Sequence, residues 1–272
     1  MTHLALLITV FSVLLTACST TRTTLTLAEQ SGFVTQTHPT STFVITSFEH
    51  LPDTPPSKIH VYIEGDGNSW KTKYMLSDNP TPKRPLALSL ALLDPHPHVI
   101  YLARPCQYTP HSQDKLCHPK FWSSHRYAKE VIQAENEVLD QIKAKFKNKQ
   151  FVLVGFSGGA SVAALLASER QDIATLITVA GDLNHVELNK YHHTSPLKGS
   201  LNPTDVAYKL KNLPQHHWSG EKDPIVPPFI ATNFFKSINN PTTTHIHLLK
   251  NADHHKEWEK NWRSILQQSL DS

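Results

Sequence analysis

Gly155-Phe156-Ser157-Gly158-Gly159 directly follows the apolar run Phe151–Val154 and directly precedes a run of small residues and leucines, Ala160–Ser168. A serine hydroxyl becomes a nucleophile when a base takes its proton and a sharp turn exposes its oxygen. Such a turn needs glycine two positions to either side, because bulkier side chains would collide with the flanking strand and helix. The following helix also aims its first N–H groups at the serine. The spacing therefore points to acyl transfer through Ser157. An ordinary Gly-rich strand–helix turn is the alternative. A candidate base stands far downstream, in His254-His255.

The other histidines invite a metal reading, since the chain holds 18 of them. His216 and His217 are adjacent on an expected strand, so they point to opposite faces and cannot chelate together. His245 and His247 share a face, but no third ligand stands at a convincing position. No HExxH occurs. A Cys/His site through His111 and His118 lacks metal-ligand spacing. No metal and no other cofactor is expected.

These residues need elements to hold them. Phe33–Thr37, Thr42–Phe48, Lys58–Glu64, Val99–Ala103, Phe151–Val154, Ile173–Val179, Gln215–Trp218 and His245–Leu249 read as strands. Leu86–Leu93 after Pro85 reads as a helix. His125–Lys149 is a longer one, with Tyr127, Val131, Ala134, Val138, Ile142 and Phe146 on a single stripe. Its terminal lysines, Lys143 to Lys149, complement the helix dipole and need no nucleic acid to explain them. Further helices are expected at Ala160–Ser168, around Pro228–Lys236, and near the C-terminus with Trp258, Trp262, Ile265 and Leu266 inward. Wholly apolar strands alternating with helices predict one α/β domain with a mostly parallel sheet covered by helices on both faces. Asn184–Asp205 interrupts the alternation and reads as irregular, a place for a lid.

The Ser157 motif in this context resembles the α/β-hydrolase family, and the resemblance covers about residues 32–270. It implies the α/β-hydrolase fold and a triad in the order Ser, acid, His. Gly220-Glu221-Lys222-Asp223-Pro224-Ile225-Val226-Pro227 is similar to the family's acid loop, which assigns Asp223 to orienting the histidine. Glu221 is the fallback, and a helix-capping role is the alternative for Asp223. His254 is the implied base because it lies four residues before Trp258; His255 stays open as the alternative. Glu64-Gly65-Asp66-Gly67 resembles the family's His-Gly-x-Gly segment, with Glu64 in place of histidine. The oxyanion donors would then be the N–H groups of Gly158 and Asp66. Two carboxylates beside an oxyanion would repel it, so they must point away or meet a cation such as Arg104.

Leu4–Leu15 is apolar except for Thr9 and Ser12 and is too short to span a bilayer, which takes ~20 residues. Ending in Leu15-Thr16-Ala17-Cys18, it resembles a bacterial lipoprotein signal, though its start lacks Lys and Arg. This implies a signal peptide over 1–17, lipidation of Cys18 and a tether over 18–31. By the same resemblance, Ser19 after the cysteine implies the outer membrane of the cell envelope. Cys106 and Cys117 would then pair in an oxidising compartment and pin the loop 105–121.

The composition of the 272 residues fits this reading. At 39% hydrophobic residues the chain can bury a core, which excludes a disordered chain. Nine glycines exclude a collagen-like chain and three cysteines a disulfide-framework mini-protein. Lysine and arginine are scattered, which argues against a nucleic-acid partner. The expectation is an envelope-anchored serine hydrolase of carboxylic esters or thioesters, lipid-derived substrates included. A non-catalytic lipoprotein of the same fold, acting as a binding module, is the other reading. Neither acyl-chain preference nor oligomeric state is readable here.

Overall fold

The computed structural model describes residues 24–109, 114, 116–146, 150–239 and 241–271. The signal segment, Cys18 and His111 lie outside the described residues. A helix, α1, occupies residues 24–30. It is followed by β1 (Val34–Pro39), β2 (Val44–His50), β3 (Lys58–Ile63), β4 (Trp70–Thr72), β5 (Met75–Leu76), α2 (Leu86–Leu92) and β6 (Val99–Leu102). Next come α3 (Lys129–Lys145), β7 (Gln150–Phe156), α4 (Gly158–Glu169), β8 (Ile173–Val179), α5 (His185–Tyr191) and α6 (Pro203–Val206). The chain closes with β9 (Gln215–Gly220), α7 (Phe229–Ser237), β10 (Thr244–Leu249) and α8 (Trp258–Leu270).

Eight strands form one sheet in the order β1-β2-β6-β3-β7-β8-β9-β10. β1 and β2 pair antiparallel, as do β2 and β6, and from β6 to β10 every pairing is parallel. The two-residue period of β3 and β7 divides the core into two layers. Ile59, Val61, Ile63, Phe151 and Leu153 pack with the inner stripes of α3, α4 and α7. Tyr62, Val152 and Val154 point the other way, into α2 and the Trp258, Trp262, Ile265 and Leu266 stripe of α8. Strands buried on both faces are why these runs carry no polar alternation.

Three segments differ from the sequence reading. The expected helix from His125 starts at Lys129 instead, because Tyr127 has other backbone partners. Its N–H donates to Ser200 Oγ at 3.1 Å and its carbonyl accepts from Leu201 N at 3.0 Å. Within Asn184–Asp205, expected as irregular, α5 begins where the Asn184 side chain accepts from Glu187 N at 3.2 Å. The pattern Asn-x-x-Glu was the readable capping signal. The later part of the expected tether is α1, whose Ala28 is buried among the α2 and α8 side chains.

Cys106 and Cys117 are joined by a disulfide, 11 residues apart in the chain. Closing a loop of this length in the unfolded chain should contribute about 2–3 kcal/mol. The double variant Cys106→Ser/Cys117→Ser is expected to lose that much in urea unfolding, with an m-value equal to or slightly above that of the wild type because its unfolded chain is less compact. A loss below about 0.5 kcal/mol would show that the crosslink does not constrain the unfolded chain as chain entropy requires.

Candidate active site

Ser157 sits between β7 and α4 with φ 51° and ψ −118°, a left-handed conformation rare for a residue with a side chain. Tertiary contacts impose it. Its N–H donates to Val179 O and its carbonyl accepts from Asp182 N, both at 3.0 Å. A Cβ on Gly155 would lie 2.5 Å from Ala160 Cα, and one on Gly159 would overlap the carbonyl oxygen of Ile63. Only glycine lets β3, β7 and α4 meet this closely around the serine.

His254 follows β10 and reaches Ser157 Oγ with Nε2 at 3.0 Å. Its Nδ1 lies 2.8 Å from Asp223 Oδ2. The other carboxylate oxygen, Oδ1, accepts from the amides of Ile225 at 2.8 Å and Val226 at 2.9 Å. Asp223 and His254 are both buried. A carboxylate at Nδ1 fixes the proton there and leaves Nε2 free to accept one from the serine.

A turn decides which histidine points inward. Asp253 Oδ1 accepts from the amides of His255 and Lys256, both at 2.8 Å, and the buried Trp258 indole donates to the Asp253 carbonyl at 2.9 Å. His254 is thereby turned to the serine. His255 stands edge-on to it, ring centroids 4.9 Å apart. Burial, then the neighbouring His254, hold His255 below the usual histidine range. Glu221, the fallback acid, instead accepts from Asn251 N at the surface.

In the loop after β3, Asp66 stands against Gly158 with its carboxylate facing two arginines. Asp66 Oδ2 lies 3.1 Å from Arg126 Nη1, and Oδ1 lies 3.7 Å from Arg104 Nη1. Arg104 had been the expected cation; Arg126 was missed. Behind them Arg104 Nε donates to the fully buried Glu135 at 2.9 Å, and Tyr127 OH donates to Asp182 at 3.0 Å. Burial raises Asp182 to about 6 against the pull of Arg126. Burial would lower Arg126, yet the carboxylates of Asp66 and Asp182 raise it above the usual arginine value.

Glu64 has a different destination. Its Oε1 accepts from Gly65 N at 2.9 Å, and Tyr101 OH donates to Oε2 at 3.2 Å. The amides of Ala87 and Leu88, in the first turn of α2, also hydrogen-bond to it. Burial pushes it up to about 7.

Ser157 and His254 open into a cleft of about 450 Å³ walled by Asp66, Trp70, Arg84, Arg126, Ile225 and His255, among others. No described residue of the pinned loop 105–121 or of 184–205, the expected place for a lid, lines it. Much of the wall comes from residues 64–70 and 82–84, of which Glu64–Gly67 is the segment expected at the oxyanion. The disulfide loop supports that wall from behind, where Gln107 Nε2 donates to Gly65 O at 3.0 Å.

The histidine pairs lie elsewhere. His216 Nδ1 meets His247 Nε2 at 3.0 Å, while His217 turns to Thr178 Oγ1 at 2.8 Å on the opposite face. No group of three His, Cys, Asp or Glu side chains able to hold a metal occurs among the described residues.

No protein-family model matches the chain, and no curated protein matches it. Solved structures do. An α/β serine hydrolase without a lid from Xanthomonas campestris superposes with TM-score 0.59 at 13% identity, over 88% of this chain and 94% of that one. An esterase of Pyrococcus furiosus gives 0.62 at 14%, over 89% and 92%. A membrane phospholipase A described as a bacterial virulence factor gives 0.58 at 11%, over 94% and 93%. The chain has the α/β-hydrolase fold.

Glu64 makes stability depend on pH. Its raised value means that the fold favours the protonated carboxyl. That contribution is full below its ordinary value of 4.5 and is lost as pH rises through about 7. The unfolding free energy of wild type relative to Glu64→Gln is expected to fall by about 3 kcal/mol from acidic pH to pH 8. A difference that stays constant across that range would contradict the burial argument.

Proposed function

We propose that this protein is a serine hydrolase acting on carboxylic esters, with Ser157, His254 and Asp223 as its triad. The observation that carries the reading is the unbroken chain from Ser157 Oγ through His254 to Asp223, at 3.0 and 2.8 Å. His254 Nε2 takes the hydroxyl proton as Oγ attacks the substrate carbonyl. Asp223 holds the ring and stabilises its cation. His254 then gives the proton to the leaving alcohol, and the acyl group remains on Ser157. Water, deprotonated by the same nitrogen, releases the acid.

The tetrahedral oxyanion is assigned to the N–H groups of Gly158 and Asp66. Gly65 N–H is occupied by Glu64, which directs the choice to Asp66. The Arg126 contact compensates the Asp66 carboxylate, so the acidic loop no longer speaks for a binding module without turnover. The neighbours described as a serine hydrolase, an esterase and a phospholipase A support ester chemistry. Thioesters fit the same mechanism. Placement at the envelope through a lipidated Cys18, on the outer membrane, is part of the proposal and rests on the N-terminal sequence.

Fluorophosphonate labelling is expected for the wild type and absent from Ser157→Ala. Ester turnover should fall about 10⁴-fold or more in Ser157→Ala and His254→Ala, and stay within about tenfold in His255→Ala. A folded wild type that takes no label would sink the hydrolase reading. Loss of turnover in His255→Ala alone would move the base to His255. Mass spectrometry of the processed N-terminus should find acylated Cys18; an unmodified Ser19 or an intact Met1 there refutes the anchor.

A further inference from the structure

The segment after β3, which lines part of the cleft, carries a surface the proposed triad does not use. β4 and β5 pair only with each other and join no strand of the main sheet. Their base is pinned. Ser77 N donates to Ser69 O at 2.9 Å, Asn68 N to Pro80 O at 2.9 Å, and the buried Trp122 indole to Ser77 O at 3.0 Å. The tip is not. Trp70 is 47% exposed, Tyr74 86% and Met75 56%. Three large side chains exposed on seven consecutive residues are unusual for a surface that meets only water. Ile225, on the opposite lip of the same cleft, is 47% exposed as well.

Charge selects the partner. Lys71, Lys73, Lys83 and Arg84 lie within residues 70–84, where Asp78 is the one acidic residue. Asp78 pairs with Lys71, so the surface stays cationic. Lysines among exposed tryptophan, tyrosine and methionine match the interface of an anionic bilayer. There the aromatic rings lie at headgroup level and the cations meet phosphate. Trp70 belongs both to the hairpin and to the cleft wall, so the docked surface is continuous with the opening above Ser157.

We propose that the β4–β5 hairpin, with the cationic rim beside it, docks on an anionic phospholipid surface and presents the cleft to ester groups held there. Docking stands on the hairpin alone; the delivery of substrate rests on the hydrolase reading. The test uses full-length protein carrying Cys18→Ser and Tyr74→Cys, with bimane attached at position 74. Mixed with vesicles of phosphatidylglycerol and phosphatidylcholine, the probe should shift to the blue and be quenched by brominated acyl chains. Adding Lys71→Glu and Lys73→Glu should weaken its response to these vesicles about tenfold or more. Emission that stays as in buffer overturns docking, even if the N-terminal segment holds the protein to the vesicle. A probe equally responsive on pure phosphatidylcholine overturns the anionic preference.

A second arm reads delivery. In an unlabelled Tyr74→Ser/Met75→Ser variant, turnover of a vesicle-borne ester should fall about tenfold, while a water-soluble short-chain ester is hydrolysed at the wild-type rate. Equal turnover of the vesicle-borne ester by variant and wild type overturns delivery. If the probe inserts but the wild type hydrolyses neither ester, the hydrolase reading fails and docking stands.

Discussion

The turn at Ser157 constrains everything around it. A residue with a side chain is held at positive φ because its N–H and carbonyl are bonded to the segment at the end of β8, at Val179 and Asp182. The same turn brings α4 against β3 so closely that Gly159 has no room for a Cβ. Local strain of this kind persists only where the surroundings over-determine it. Here two parallel strands and a helix do so, and the serine oxygen is left at the carboxyl edge of the sheet. That edge is where ligands bind in open α/β sheets.

A second constraint is buried charge. Asp66, Asp182, Arg104, Arg126 and Glu135 form one cluster under the cleft floor, and Glu64 sits apart with only dipoles as partners. A buried charge must be paired or neutralised. The cluster combines both, since Arg126 pairs with Asp66 and Arg104 with Glu135 while burial raises Asp182 to about 6 and Glu135 to about 7. Glu64 follows the second, its carboxyl held toward the neutral form among the α2 amides. Both arrangements reduce the negative charge left uncompensated near Ser157.

The triad and the cleft differ in origin. Ser157, Asp223 and His254, the proposed triad, follow the ends of β7, β9 and β10, which the parallel sheet aligns. Much of the cleft wall comes from the segment after β3, supported by Gln107 beside the disulfide. The proposed chemistry is thus attached to the sheet, and the cleft wall to loops beside it.

Strand and helix identities were legible in the sequence because the core layers impose a two-residue or 3.6-residue apolar period. Ile173–Val179 was readable to the residue. Ser157 and the acid loop were legible because a sharp turn and its glycines are local in the chain. What stayed hidden was non-local. Tyr127 looks like the first turn of a helix, and only its partners Ser200 and Leu201 show otherwise. Arg126 and Glu135 read as ordinary helix-region charges until folding brings them to Asp66 and Arg104. The choice between two adjacent histidines belonged to the Asp253 turn and the Trp258 indole. The sequence by itself determined the fold class and the residue types of the site, since periodicity and turn chemistry act between neighbours. Which groups meet, which charges are compensated and what walls the cleft were decided only by tertiary structure. Those contacts join residues tens of positions apart, and no local preference encodes them.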